Sequence, residues 1–440
     1  MSVVTLNDGR WRRLPRHVCV DAESVRPLAQ VERRDGVPWV RRRASWIIGR
    51  YHCGGVTIEV PSPVPTATLL PLVLFATGTT PKTLKELSHQ ALDGIGNAFH
   101  RDLARVFVAR VRKDLGHDPA TRFNPIVETG YTLRGRPLWS KMVGRPLAAG
   151  VVCRSYARST DHLLNQIIAT AVERAVVLLA DDDTGRINSY ALAQIWRNLA
   201  TTVKVSAAIF NTAYRKLSPL TERYRVPLKL AEMLLMRLQP DPFHGGDAIG
   251  PGCAMNLADL LERVVYRLLC TYTETEESVA VAFQKAEDRC FTDAEGSKYR
   301  SVRPDIVIFA NSKPVAVLDT KFKPRYVVAR QDGSLPRSGR ASTADLFQLA
   351  FYQLSLQQRY GTVCPPMPYI VVPQLDGKPA ALHSRIVRWP SKDGYAEARV
   401  IPIPLSPLAA VLREEGDASR SICAAPELKE LVDSLSLKTD

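Results

Sequence analysis

The sequence predicts a multidomain α+β protein with a β-rich N-terminal part, a helical middle and a C-terminal α/β core. At 440 residues the chain is longer than one ordinary hydrophobic core supports, so two or three domains are expected. Hydrophobic spacing changes from strand-like alternation near the N-terminus to helical spacing in the middle. Two apolar runs rich in β-branched residues follow, Ile306 to Phe309 and Val315 to Leu318, and they are typical of adjacent buried strands. We therefore expect domains over residues 1–115, 116–245 and 246–440.

The composition is that of a basic, globular protein. Hydrophobic residues make up 45% of the chain, and the formal net charge is +15 with a sequence pI of about 9.5. An excess of positive charge favours polyanionic partners, of which nucleic acid is the commonest. A protein that is basic without such a partner remains an open alternative.

Cysteine usage and hydropathy bear on the cellular compartment. The eight cysteines are scattered, and no two have the C-x-x-C spacing of a zinc site or a redox motif, which fits a reducing cytosol. The N-terminus carries charges and lacks the apolar segment of a secretory signal. The longest apolar stretch, Thr66 to Gly78, contains Pro71 and is too short to span a bilayer. We expect a cytoplasmic protein with no membrane association.

Residues 1 to about 60 combine arginine with tryptophan, most densely at Trp11 to Arg13 and at Trp39 to Arg43. Such a mixture suits contact with a nucleic-acid backbone, with phosphates on the arginines and stacking on the rings. Solvated hairpin edges explain the pattern equally well, so both interpretations stay open. Val56 to Val60 then alternates as a half-buried strand.

Helical spacing follows from Leu84 to about Leu115 and dominates the middle third. Apolar residues recur there from Leu164 to Leu178, from Tyr190 to Val203 and from Pro227 to Leu238. These faces are typical of packed cores. The stretch Gln239 to Gly252, rich in proline and glycine, is the best candidate for a domain boundary.

The clearest helix comes after this boundary. Its apolar stripe runs from Leu257 to Leu269 at i, i+3, i+4 and i+7 spacing, and Glu262 lies on the margin of the stripe. A strand, the two central strands, a flexible insert, a second helix and a further strand are predicted next. Apart from the central strands, these elements cover Val279 to Phe283, Gln331 to Ser342, Thr343 to about Arg359 and Tyr369 to Val372.

The two central strands bring charged residues to one end of an apolar sheet. If they form a hairpin centred near Ser312, Asp305 lies opposite Asp319 or its neighbour. Strand residues two apart share a face, so Lys321 joins Asp319. Two carboxylates and one ammonium group are costly to desolvate together unless a divalent cation balances them. A simple ion pair of Asp319 with Lys321 or Lys323, capping the sheet edge, is the alternative.

Phosphodiester hydrolysis is the chemistry that such a cluster supports. It needs a nucleophilic water and stabilisation of the charge that builds on the phosphate, and one or two Mg²⁺ ions held by Asp305 and Asp319 would supply both. Mn²⁺ can replace Mg²⁺. Lys321 would orient or deprotonate the water and help to neutralise the phosphate. Gln348 and Tyr352, four apart on the following helix, project from one face towards the sheet end, although such pairs also occur on ordinary helix surfaces.

At these residues the chain resembles the PD-(D/E)XK nuclease superfamily, through Pro304-Asp305 followed by Asp319-Thr320-Lys321. Gln348-x-x-x-Tyr352 is similar to an additional motif of the RecB-like branch. The wider pattern resembles the McrC family, the nuclease subunits of McrBC modification-dependent restriction systems. That wider resemblance covers Arg303 to Asp305, Asp319 to Lys323, Asp345 to Leu349, Leu260 to Val265 with Glu262, Asn165, and Ile58 to Pro61.

The resemblance implies a PD-(D/E)XK nuclease core in the C-terminal domain. The activity it implies is that of a Mg²⁺-dependent DNA endonuclease, a hydrolase that cuts phosphodiester bonds in a restriction or anti-phage defence system. It also implies a role for each residue of the candidate site. The expected catalytic residues are Asp305, Asp319, Lys321 and Gln348, the metal ligands Asp305 and Asp319, the supporting residues Glu262 and Tyr352, and the DNA contacts Arg303, Lys323 and Arg325.

The resemblance implies a partner as well. An McrC-like subunit cuts double-stranded DNA, while a separate hexameric AAA+ NTPase of the McrB type, usually driven by GTP, recognises and translocates the DNA. The chain agrees with this division, because it contains no G-x-x-x-x-G-K-[ST] phosphate loop. By analogy, residues 1–115 would dock on the motor ring. Two alternatives stay open: a DNA-binding activator of an AAA+ ring with an inactive nuclease fold, and a stand-alone RecB-like nuclease.

Overall fold

A computed structural model describes residues 2–80, 99–235, 252–323, 341–375, 386–414 and 423–436, with gaps of one to five residues inside these ranges. The predicted insert at 331–342 and the predicted boundary at 239–252 lie almost entirely outside the described residues. Backbone contacts divide the chain into two compact units, one combining residues 1–97 with 237–440 and the other formed by residues 98–236. Within the described ranges, no helix is long and apolar enough to cross a membrane.

The N-terminal part of the first unit is rich in strands, as the sequence predicts. Its elements are β1 (Ser2–Thr5), β2 (Arg12–Arg13), β3 (Ala29–Arg34), β4 (Val37–Arg42), β5 (Ile47–Cys53), β6 (Val56–Val60) and the helix α1 (Thr66–Ala76). β2, β4 and β3 form an antiparallel sheet, in which β3 and β4 make a hairpin. Its turn residues Asp35 and Gly36 have φ values of 50° and 73°, the type I′ geometry that Asp-Gly favours.

A second sheet joins segments that are far apart in the sequence. β1, β6 and β5 are neighbours in it, and its fourth strand is β10 (Gly252–Asn256), which pairs antiparallel with β5. Segments before and after the second unit therefore share one sheet. The expected division into residues 1–115, 116–245 and 246–440 did not include this pairing, because hydrophobic periodicity reports local structure and not long-range partners.

Helices and one exposed sheet make up the second unit. Its elements are α2 (Phe99–Leu115), β7 (Arg122–Gly130), β8 (Arg136–Pro137), β9 (Val151–Ser159), α3 (Leu163–Leu178), α4 (Asp183–Leu199), α5 (Ala207–Arg215) and α6 (Arg225–Leu235), with short 3₁₀ turns at Trp139–Lys141, Leu147–Ala149 and Pro219–Tyr224. The helical spacing predicted for the middle third is confirmed, since α3, α4 and α6 bury apolar faces. Periodicity does not predict the sheet β7–β9–β8, because β7 is exposed along most of its length.

The C-terminal part of the first unit carries the candidate site. After β10 its elements are α7 (Leu257–Tyr272), β11 (Val279–Phe283), β12 (Glu287–Thr292), β13 (Lys298–Val302), β14 (Ile306–Ala310), β15 (Lys313–Thr320), α8 (Thr343–Tyr360), β16 (Met367–Gln374), β17 (Ile386–Ser391), β18 (Gly394–Pro404), α9 (Leu405–Glu414) and α10 (Pro426–Ser436). The predicted strands and helices of this part all occur. The β12–β13 ribbon and the β17–β18 pair are additions to them.

These strands form a mixed six-stranded sheet in the order β11–β14–β15–β16–β18–β17. β14 is antiparallel to both β11 and β15, whereas β15, β16 and β18 are parallel. The predicted β14–β15 hairpin is confirmed, with Asn311 and Ser312 at φ values of 49° and 64° in its turn. A bulge follows Ile308, where Phe309 pairs with Pro314, a residue that has no N–H to donate.

α7 and α8, two of the helices that contact this sheet, carry side chains towards the end of β15. All seven residues of the predicted α7 stripe are buried, and Asn256 caps the helix by accepting a hydrogen bond from the backbone N–H of Ala258 at 3.0 Å. α8 begins at a Ser342 cap and ends at Gly361 in the left-handed conformation, with a φ of 60°. It contacts β15 and β16.

Candidate active site

Asp305 and Asp319 face each other at the open end of the β14–β15 hairpin. Ile306 pairs with Leu318 in the ladder, so its continuation sets Asp305 opposite Asp319, as the sequence predicts. The Oδ2 atom of Asp305 accepts hydrogen bonds from the backbone N–H of Thr320 at 2.7 Å and from its hydroxyl at 3.2 Å. Asp319 is fully buried. Two carboxylates are thus held side by side at one end of an apolar sheet.

Burial and proximity disfavour ionisation of this pair. Burial raises the pKa of Asp319 to about 7, the neighbouring Asp305 adds to the rise, and Lys321 opposes it. Burial also raises the pKa of Asp305, against the hydrogen bonds from Thr320 and the charge of Lys321. The two carboxylates repel each other when both are ionised. A bound cation would relieve the repulsion between them.

Lys321 links the carboxylates to α8. Its Nζ donates a hydrogen bond to Oδ1 of Asp319 at 2.8 Å and another to Oε1 of Gln348 at 3.2 Å. Burial lowers the pKa of Lys321, but the charges of Asp319, Asp305 and Asp345 outweigh it and set the pKa above its usual value. The Lys321 side chain is therefore a cation at neutral pH in this arrangement.

Gln348 and Tyr352 extend the network, as their spacing of four residues predicts. Nε2 of Gln348 donates to the hydroxyl of Tyr352 at 2.5 Å, and this hydroxyl donates to the backbone oxygen of Arg303 at 3.2 Å. The Tyr352 ring belongs to a buried cluster with Val307 and Val317. Helix α8 is thereby tied both to the segment that carries Asp305 and to Lys321.

Glu262 approaches the carboxylate pair from α7. Burial raises the pKa of Glu262 to about 8, and the charge of Asp305 contributes the next largest share. Its Oε2 accepts a hydrogen bond from Nε2 of Gln284 at 2.7 Å. Gln284 also accepts a hydrogen bond from the Arg303 guanidinium through its side-chain oxygen, and its backbone N–H donates to the oxygen of Asp305 at 2.8 Å. Gln284 has a φ of 45°, a strained conformation of the kind that occurs at functional sites.

The residues expected to contact DNA lie in different surroundings. Arg303 is exposed, although its guanidinium is bonded to Gln284. Lys323 is half-buried, and its Nζ donates to Oδ1 of Asp345 at 2.6 Å. Arg325 lies outside the described residues. A role in DNA contact stays a prediction for all three.

Asp345, Gln284 and Thr320 complete the site without having been predicted as parts of it. Asp345 is buried in the first turn of α8. Its carboxylate accepts hydrogen bonds from Nζ of Lys323 and from the hydroxyl of Ser342. The Ser342-x-x-Asp345 spacing is a capping pattern that locates this carboxylate in the sequence. No local pattern marks Gln284 or Thr320, since their roles arise only when β11 and β15 are brought to the same sheet end.

Asp305 and Asp319 are the described carboxylates that could hold a divalent cation. Lys321 Nζ lies 2.8 Å from Oδ1 and 2.7 Å from Oδ2 of Asp319, but only the contact with Oδ1 has hydrogen-bond geometry. Oδ2 is buried and has no hydrogen-bond partner in the described part of the chain. No group of three or more His, Cys, Asp or Glu residues suited to a metal occurs among the described residues. Mg²⁺ keeps several waters and usually takes only one or two protein carboxylates, so a pair of this kind could serve as its protein ligands.

Fold and site together define a mixed α/β protein with an acidic pair, of which Asp319 is fully buried, and a lysine at one sheet end. Residues 79–364, more than half of the chain, match the family model described as "McrBC 5-methylcytosine restriction system component". The chain belongs to this family, which confirms the resemblance found in the sequence.

One solved structure agrees with the family at the level of the fold. One chain of a refined half-complex from the tetradecameric assembly of Thermococcus gammatolerans McrB AAA+ hexamers with bound McrC is similar with a TM-score of 0.62. At 14% identity the match covers 96% of this chain and 99% of that one. A chain of the Thermococcus gammatolerans McrBC complex matches with a TM-score of 0.43 and 15% identity, over 61% of this chain and 87% of that chain. No curated protein matches the sequence.

Proposed function

We propose that this chain is the nuclease subunit of a restriction system, a metal-dependent endodeoxyribonuclease that cuts double-stranded DNA. One observation carries the proposal: Asp305 and Asp319 are held together at a buried sheet end, and Lys321 is bonded to the second of them. An ion pair that merely caps the sheet needs one carboxylate and leaves the second unexplained. Membership of the McrBC family supports restriction as the setting.

Asp305 and Asp319 would hold Mg²⁺, or Mn²⁺ in its place. A bound ion would supply charge neutralisation at the phosphate and an acidified water. Lys321 places its ammonium group beside the same carboxylates, where it can orient a water and neutralise a phosphate oxygen. Gln348 fixes Lys321 from the helix side, and Tyr352 fixes Gln348. In the PD-(D/E)XK interpretation Glu262 is the supporting acid on α7.

A separate AAA+ NTPase would direct this nuclease to DNA. The structure from Thermococcus gammatolerans that shares the fold is an assembly of McrB AAA+ hexamers with bound McrC. This chain contains no phosphate-loop motif of its own, so nucleotide hydrolysis is assigned to the other subunit. A cytoplasmic setting follows from that assignment.

The β7–β9–β8 sheet, with its loops at residues 122–159, is the described surface best suited to such a partner. It exposes Phe123, Tyr131, Trp139 and Tyr156, each by more than 60%. The segment contains six arginines but one lysine, one glutamate and no aspartate, the composition of a protein interface rather than of an ordinary surface. We therefore propose docking through this sheet, and docking by residues 1–115 stays a prediction.

Reconstitution with the AAA+ NTPase of the same restriction system tests these assignments. We expect the two proteins with Mg²⁺ and nucleotide to cut modified double-stranded DNA, and the Asp319→Ala chain to bind the partner without cutting. The doubly substituted chain Trp139→Ala/Tyr156→Ala should lose stimulation of the partner's NTPase activity and keep its fold.

Each alternative function has its own result in this experiment. Cutting by Asp319→Ala would refute the catalytic assignment. A wild-type chain that stimulates the NTPase but never cuts with Mg²⁺ or Mn²⁺ would be an activator with an inactive nuclease fold. Cutting at DNA ends without any partner would identify a stand-alone RecB-like nuclease.

A further inference from the structure

One face of the β2–β4–β3 sheet gathers tryptophan and arginine side chains. Trp39 on β4 lies opposite Arg13 on β2 and opposite Glu32 on β3. Paired residues share a face and residues two apart return to it, so Arg34 and Arg41 lie on the same side. The opposite face carries Val31 and Val40, which pack in a hydrophobic core. We call the outer surface the Trp/Arg face; it consists of Trp11, Arg13, Gln30, Glu32, Arg34, Trp39 and Arg41.

Contacts within the Trp/Arg face fix two guanidinium groups. Arg34 lies over the rings of Trp11 and Trp39, at 5.0 Å and 5.4 Å from the ring centroids, and Arg41 lies over Trp11 at 4.8 Å. Glu32 accepts from Arg34 at 2.8 Å, and Gln30 accepts from Nε of Arg41 at 2.6 Å. Side chains held in this way lose little conformational entropy when they bind a ligand.

The net positive charge of the Trp/Arg face favours a polyanionic ligand. The face carries three arginines and one glutamate, and the exposed Arg10 directly precedes Trp11 in the sequence. A stacked guanidinium retains N–H groups that match the oxygens of a phosphate, and arginine makes this contact in a fixed fork geometry that lysine lacks. Because arginines already cover the tryptophan rings, the face is better suited to phosphates than to stacked bases.

We propose that the Trp/Arg face binds the phosphate backbone of double-stranded DNA, as a second DNA contact apart from the candidate active site. The proposal rests on the proposed function only in taking DNA as the polyanion. The face holds DNA without reading its sequence, because it offers arginine to phosphates and no free edge for bases. It would keep substrate bound to the nuclease subunit while the site at the end of β15 acts.

Salt-dependent DNA binding by the full chain tests the proposal. The measurement is fluorescence anisotropy of a labelled duplex in EDTA over a series of KCl concentrations, comparing wild type with Arg13→Gln/Arg34→Gln/Arg41→Gln. The triple variant should bind roughly 10-fold or more weakly, and its slope of log affinity against log salt should be shallower by about 2.7, because each lost phosphate contact contributes about 0.9. Lysine at the same three positions should restore the slope but not the full affinity.

A matched control separates the face from general charge. Arg186→Gln/Arg215→Gln/Arg225→Gln removes the same charge from exposed positions, two of them paired with an acid as Arg34 is. It should leave the salt slope unchanged. An equal loss of DNA affinity in both triple variants, or an unchanged salt slope in the Arg13/Arg34/Arg41 variant, overturns the proposal. The proposal also fails if that variant binds DNA normally but no longer binds the AAA+ partner. Binding is measured in EDTA, where no metal-dependent cutting occurs. A chain that binds DNA through this face but does not cut it when Mg²⁺ or Mn²⁺ is supplied would refute the nuclease assignment and not this contact.

Discussion

The ammonium group of Lys321 donates a hydrogen bond to the side-chain oxygen of Gln348 at 3.2 Å, which ties the end of β15 to helix α8. The same ammonium group donates to Asp319 at 2.8 Å. Gln348 therefore limits the positions that Lys321 can take beside the carboxylate pair. Its amide is bonded in turn to Tyr352, so the restraint reaches the core of the sheet.

Replacement of Gln348 by Ala should lower the rate of DNA cleavage roughly 10- to 100-fold, because a loosely held catalytic group loses part of its positioning. Melting temperature should change little, since Gln348 is only partly buried. Steady-state cleavage in the presence of the AAA+ partner measures the effect. Gln358→Ala, at an exposed position of the same helix, is the control. Equal cleavage rates for Gln348→Ala and Gln358→Ala would show that Gln348 does not contribute to the site.

The parts of this site that the sequence predicts are those with a local pattern. The β14–β15 hairpin has apolar β-branched strands around a turn, and the α7 stripe has strict helical spacing, so both are found where expected. The strand pair then brings Asp305 and Asp319 together by register. Gln284 has no such pattern, because its bonds to Glu262 and Arg303 join elements whose approach is decided by packing.

Strands without a half-buried face are not predicted from the sequence, for a different physical reason. β7 is exposed along most of its length, so no alternation of apolar and polar residues marks it as a strand. The β10–β5 pairing brings a strand from beyond the second unit into the N-terminal sheet. Backbone hydrogen bonding determines that pairing, and backbone groups are the same in every residue except proline.

Asn165 holds together the base of the β7–β9–β8 sheet. It is fully buried, donates to the backbone oxygens of Ala120 at 2.9 Å and Thr160 at 2.7 Å, and accepts from the Tyr224 hydroxyl at 2.6 Å. Ala120 and Thr160 directly flank the segment that contains the sheet. The network therefore fixes where both ends of this segment leave the helices.

We expect Asn165→Ala to lower the free energy of unfolding by roughly 2–3 kcal/mol, because it leaves buried polar groups without partners. Urea denaturation followed by circular dichroism measures the loss. Asn198→Ala, at an exposed helical position, should cost little. If the sheet docks on the AAA+ partner, Asn165→Ala should also weaken stimulation of the partner's NTPase activity at temperatures where the chain remains folded.

His162 makes the stability of the second unit depend on pH. Burial lowers the pKa of His162 from 6.5, with Arg122 and Lys216 contributing, against the hydrogen bond to the oxygen of Ala120 and the charge of Asp161. The unfolded chain therefore binds a proton more readily than the folded one. The contribution of His162 to stability is complete above pH 6.5 and is lost as the pH falls below that value towards the folded pKa.

His162→Gln should make the melting temperature less sensitive to pH between neutrality and mildly acidic conditions, since glutamine does not titrate and can still donate to the Ala120 oxygen. Thermal unfolding at several pH values checks this. His17→Gln, at an exposed position, should keep the wild-type pH profile. A wild-type profile for His162→Gln would mean that other groups dominate in this window.

Mg²⁺ should raise the melting temperature of the wild-type chain without DNA or partner. If Asp305 and Asp319 hold the ion as proposed, it binds only the folded state, in which they are side by side, because the unfolded chain has no such arrangement. At ten times its Kd, Mg²⁺ would stabilise the folded state by about 1.4 kcal/mol. The measurement is thermal unfolding with MgCl₂ against an equal ionic strength of KCl, so that general screening cancels.

Asp319→Asn should abolish this Mg²⁺-dependent rise, because an amide oxygen is a weaker ligand and the charge of the pair is halved. Asp319 is the fully buried member of the pair, so the loss should be larger for Asp319→Asn than for any change outside the pair. Glu414→Gln removes the same charge from an exposed position and should retain the full rise. A Mg²⁺-dependent rise that persists in Asp319→Asn but disappears in Glu414→Gln would show that the cation does not bind at the end of β15. Lys321 would then be the group that neutralises Asp319, without any metal.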